Sequence, residues 1–161
     1  MKKTCLIMLL FILVVTGCKE INPEQKQQEI KRTNFASKEY ADAAKLAENN
    51  DPAGFLKLYK IARDDSTYTA EYSDVATEKL HYLLYSKTSL WIKTFSKIDL
   101  DEFKAYLKAS GIWVTELPEG VLSEEQFEEE IFSKLKKIKG DKKEMELVNY
   151  ILSFQKNKKK N

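Results

Sequence analysis

The chain has 161 residues, 27 Lys and Arg against 25 Asp and Glu, a single histidine and two cysteines. His81 with Cys5 and Cys18 cannot make up a His-rich or Cys-rich zinc site, and five glycines scattered singly make no phosphate-cradling loop. The length suffices for one hydrophobic core.

The chain opens with Lys2 and Lys3, continues through the apolar stretch 5–15, and changes abruptly at Thr16-Gly17-Cys18-Lys19-Glu20. This is the layout of a secretory signal. Eleven apolar positions fall short of the roughly 20 that a helix needs to span a bilayer core.

Within this segment Val15-Thr16-Gly17-Cys18 resembles the lipobox of bacterial lipoproteins: an aliphatic residue, a small one, Gly or Ala, then cysteine. Val15 and Thr16 depart from the commonest form, which has Leu and then Ala or Ser. The resemblance covers the first eighteen residues only. It implies cleavage after Gly17, a thioether-linked diacylglycerol on Cys18 and fatty acylation of the new amino group, palmitate being the usual chain. By similarity to enterobacterial lipoproteins, Lys19 rather than Asp favours the outer membrane, facing the periplasm. In a single-membrane organism the same box means the cell surface.

Cleavage would remove Lys2 and Lys3 but no acid, leaving 27 − 2 = 25 basic residues against 25 acidic ones. A balanced chain gives no argument for nucleic-acid binding. Cys5 would leave too, so Cys18 would be the last cysteine and no intramolecular disulfide could form.

The domains expected are therefore a signal peptide at 1–17, a lipidated cysteine and polar tether at 18–36, a helical domain at 37–155 and a Lys-rich tail at 156–161. The tether carries Pro23 and a Gln-rich run and leaves open whether 24–36 is helical. A first, Ala-rich helix is expected over about 37–49. Asp51-Pro52 starts a second, with Phe55, Leu58, Tyr59 and Ala62 on one face. A third, about 67–85, aligns Tyr72, Ala76, Leu80, Leu83 and Leu84. A short fourth holds Trp91, Phe95 and Ile98. Asp99, Ser123 and Asp141 open three more with an acid or Gln three residues later, and Gly111 and Gly140 stop two of them. No strand is predicted. The fold class is all-α: one irregular bundle of six or seven helices, with stacked helical hairpins as the alternative.

Three side chains stand out as candidate partner contacts. His81 and Tyr85 fall with Asp74 and Glu78 on a stripe opposite the core face of the third helix. There an acid one turn away would favour protonated histidine and a pH-sensitive contact. The structural alternative is that this helix packs on two sides, with the acids solvated. Trp113, in the irregular segment 112–122, either plugs the bundle or presents an anchor. In the sixth helix five glutamates come early and four lysines late, which suits the helix dipole without a ligand. The tail lysines 156, 158, 159 and 160 read as a solvated end, or as a contact to anionic headgroups or cell wall.

No catalytic residue, metal or cofactor is expected. The functional expectation is a non-catalytic lipoprotein anchored through Cys18 that engages a protein partner. Alternatives are an immunity or inhibitor protein against a secreted toxin, and a structural envelope component.

Overall fold

The computed structural model describes residues 23–64 and 67–158. The signal segment, Cys18, Lys19 and the last three residues lie outside them. The chain divides into two units, Met1–Lys31 and Arg32–Asn161. Seven helices and no strand make up the described residues, so the fold is all-α.

Helix α1 runs Pro23–Glu48, starting well before the expected position 37. Its opening residues, rich in Glu, Gln and Lys, are good helix formers behind a proline at the first position. In the first unit, side chains 26–31 are exposed, so no apolar periodicity marked them as helical.

In the second unit, Ala36, Ala43 and Ala47 bury the small-residue face of α1 completely. That face admits α2, Pro52–Arg63, at very close range. A Cβ on Gly54 would strike the Ala47 backbone nitrogen and come within 2.7 Å of the Ala43 carbonyl oxygen. Asn50, at φ 65°, takes the left-handed turn that ends α1, and the Asp51 side chain accepts from the Ala53 N–H at 2.9 Å to start α2.

Helix α3, Ala70–Ser86, buries Ala76, Leu80, Leu83 and Leu84 as its spacing predicts. Lys87 alone separates it from α4, Thr88–Phe95, ending one helix and starting the next at φ −133°, ψ 40°. Helices α5 (Leu100–Ser110), α6 (Glu124–Leu135) and α7 (Lys142–Lys158) begin where the expected caps stand. Asp99 accepts from the N–H groups of Asp101 and Glu102, Ser123 from Gln126, and Asp141 from Lys143 and Glu144. Glu144 accepts in return from the Asp141 N–H and completes a capping box, whereas Gln126 accepts from the N–H of Leu122, one residue before the cap.

The core centres on an aromatic cluster in which Phe95 and Phe103 stack at 4.4 Å and Trp91 lies 4.6 Å from Phe95. The Trp91 indole N–H donates to the Leu80 carbonyl at 3.0 Å, so a fully buried polar atom is satisfied. Helix α4 packs on α2, α3, α6 and α7, while α3 meets α6 and α5 meets α7. A hairpin stack would join each pair only to its neighbours; these long-range pairings make the domain a bundle.

Candidate functional site

The connection between α5 and α6 organises the most distinctive site. Gly111 leaves α5 at φ 71°, a conformation that favours glycine, and turns Ile112 and Trp113 back over α3. There the His81 ring, fully buried, lies with Nδ1 2.9 Å from the Trp113 carbonyl oxygen. The Trp113 N–H lies farther from the same nitrogen, at 3.3 Å; the shorter contact is met with the proton on Nδ1 donating to the carbonyl, and Nε2 is left buried without a partner. Burial pushes the imidazole pKa down to about 4, outweighing the upward pull of the Trp113 carbonyl and Glu78.

Of the two readings of this stripe, the structure bears out a third helix packed on two sides and not an exposed, protonated histidine. His81 is neutral near pH 7 and inaccessible to a partner, because the connection packs over the stripe that helical periodicity left open. Glu78, one turn earlier, accepts from the backbone N–H groups of Thr115 and Glu116 and ties the same connection down. Asp74 is exposed.

Tyr85 is also taken up in packing. Its ring stacks on Phe127 at 5.2 Å and its hydroxyl donates to Glu130 at 2.9 Å, fixing α3 to α6. Neither His81 nor Tyr85 joins Trp113 as a surface contact.

Trp113 divides its roles. Its backbone holds His81, as a plug would, and its half-buried indole lies edge-on to that imidazole at 6.0 Å. The indole also lines an open cavity of about 360 Å³, together with Leu107, Ile112, Phe132 and Phe154. Lys108 and Glu128 supply the charged groups of the lining. Phe132 and Phe154 went unread in the sequence, where each is one apolar position on an amphipathic helix; only the adjacent Ile112-Trp113 pair in a non-helical segment marked the place. The connection ends at Leu122, 87% exposed.

Such a cavity can take an apolar group and orient it by charge. Among the described residues no cluster of three or more His, Cys, Asp or Glu could hold a metal ion, and no helix is long and apolar enough to cross a membrane. No family model, curated protein or solved structure matches the chain.

Proposed function

We propose that the protein is a non-catalytic bacterial lipoprotein, anchored through acyl chains on Cys18, which presents its helical domain to a protein partner in the cell envelope. The ordered sequence of basic start, apolar stretch and Val15-Thr16-Gly17-Cys18 supports the anchor. An acyl chain contributes about 0.8 kcal/mol per buried CH₂, and two or three chains hold stably where one does not. Lys19 favours the outer membrane.

One observation carries the binding role: the open cavity lined by Trp113, Phe132 and Phe154. Its volume falls within the range of roughly 300 to 1,000 Å³ that binding pockets occupy, and aromatic-lined pockets are where interfaces concentrate their energy. A partner would insert an aromatic or branched aliphatic side chain and align its own charges with Lys108 and Glu128.

Mass spectrometry of the native product tests the anchor, which requires an N-terminal peptide beginning at a diacylglycerol-modified Cys18. An unmodified terminus removes it. For the site, a photo-crosslinking residue in place of Lys108 should capture one discrete envelope protein, and Trp113→Ala should abolish capture while the helical signal persists. Equal capture by the Trp113→Ala protein refutes the site.

A further inference from the structure

A second surface, away from the Trp113 cavity, carries an unbalanced charge. At about 100° per residue, Lys134 lies about 200° round α6 from the cavity-lining Phe132. Two adjoining hollows of about 380 and 460 Å³ meet at Ser89, Lys134 and Lys137. Lys93 and Lys139 complete the first and Lys87 the second.

These five lysines come from three separate places in the chain: the α3–α4 joint, the last turn of α4, and the end of α6 with the turn beyond it. Lys87 caps the end of α3 and Lys93 lies in the last turn of α4, so each suits its own helix dipole as the late lysines suit that of α6, yet the fold gathers all five on one surface. None of the five makes an ion pair among the described residues, whose salt bridges involve Arg63, Lys79 and Lys104.

Three acids lie nearby, fewer than the five lysines, and each has a bonding partner outside the group: Glu48 pairs with Lys79 at 2.6 Å, which lowers its pKa more than the nearby charge of Lys87 does. Glu144, the carboxylate lining the first hollow, accepts from the Asp141 N–H at 3.1 Å. Glu130, one turn before Lys134, accepts from the Tyr85 hydroxyl and the Gln126 amide.

Lys134 is held in place. Its ammonium donates to the Tyr85 carbonyl at 2.9 Å and lies 3.4 Å from the centroid of the Tyr85 ring. Partial burial lowers its pKa. Lys87 is fixed likewise, donating to the Glu48 carbonyl at 3.1 Å and to Asn50 Oδ1 at 2.5 Å. Two oriented cations with three exposed ones beside them form a receptor for several negative charges at once.

We infer that this lysine surface docks the domain onto the phosphate headgroups of an anionic membrane. Proximity rests on the anchored reading of Cys18, since the five steps of chain from Cys18 to Pro23, where α1 begins, reach at most roughly 18 Å when fully extended. A tether that short keeps the headgroups at high effective concentration, so that a patch too weak to hold a free protein suffices for an anchored one. Juxtamembrane lysines act in this way on anionic leaflets, within about a Debye length of the surface.

The test compares partitioning of the full chain between vesicles of phosphatidylglycerol with phosphatidylcholine and vesicles of phosphatidylcholine alone. The ratio cancels attachment through acyl chains or the apolar leader, so it is independent of whether Cys18 is lipidated, which mass spectrometry reads separately. The expected result is an anionic preference that collapses in high salt. It should fall on the order of a hundredfold when Lys93, Lys137 and Lys139 are replaced together by Gln. These three side chains are exposed, and an unchanged helical signal will verify that the variant is folded. Replacing Lys156, Lys158, Lys159 and Lys160 by Gln should preserve most of the preference. An unchanged ratio in the triple variant, or its loss in the tail variant alone, overturns the inference. So does retention by soluble polyphosphate without any preference for anionic vesicles.

Discussion

Replacing His81 by Gln tests how this domain responds to acid. In the folded chain the imidazole is fully buried, faces the Trp113 carbonyl and Glu78, and has its pKa lowered from 6.5 to about 4. Between those limits the unfolded chain binds a proton that the folded chain refuses, so stability rises with pH across the interval. The contribution is complete above about pH 6.5, is lost progressively as pH falls, and levels off near pH 4. At 1.36 kcal/mol per pKa unit the loss amounts to about 3 kcal/mol, a large part of a typical domain's stability of about 5 to 15 kcal/mol. Urea unfolding followed by circular dichroism at pH 7, 6, 5 and 4 gives the two profiles. Glu48, Glu130 and Glu146, held below the usual carboxylate range by Lys79, Tyr85 and Lys104 respectively, also weaken the fold in acid. Both proteins share them, so they cancel in the difference. His81→Gln should cost stability at pH 7 through altered packing, yet lose about 3 kcal/mol less than wild type between pH 7 and pH 4. Parallel profiles would refute a buried neutral imidazole.

Gly54→Ala should destabilise by about 3 kcal/mol, because the added methyl meets the α1 backbone rather than a movable side chain; a change below about 0.5 kcal/mol in chemical denaturation would contradict the close α1–α2 approach. Trp91→Phe removes the bond to the Leu80 carbonyl and leaves space in the aromatic cluster, for an expected loss of about 2 to 4 kcal/mol by the same measurement. Glu78→Ala should cost about 1 to 2 kcal/mol and speed amide hydrogen exchange at Thr115 and Glu116 selectively, because both N–H groups lose their acceptor. Unchanged exchange at those two amides would show that the connection is held by other means.

Local chemistry made most of the fold legible. Asp51, Asp99, Ser123 and Asp141 each name a helix start and each makes the expected capping bond. The apolar faces of α2 and α3 follow their periodicity into the core, as does Trp91. Legibility fails where a residue's environment comes from a distant part of the chain. The first turns of α1 have helix propensity without an apolar face. His81 sits on what periodicity marks as an outer stripe, and only the path of 111–116, more than thirty residues later, turns it into a buried position. The cavity behind Trp113 draws its walls from α5, the connection, α6 and α7. Its aromatic residues are thus recognisable as a group only once those elements are brought together, although Trp113 itself, outside any periodic pattern, could be singled out beforehand.

The two joints on either side of α4 and α5 set opposite rules for how this chain can change in length. Between Ser86 and Thr88 a single residue makes the corner, and the bond from Trp91 to Leu80 spans it. One inserted residue there would turn α4 by about 100° and carry Trp91 and Phe95 off the hydrophobic centre, so the corner works as a fixed gauge. The segment leaving Gly111 is restrained at His81 and Glu78 and again by the buried Pro118 and Val121, but at the exposed pair Glu119-Gly120 it can lengthen outward while leaving those anchors in place. Relatives of this protein should therefore vary in size just before α6 and keep a constant count at Lys87.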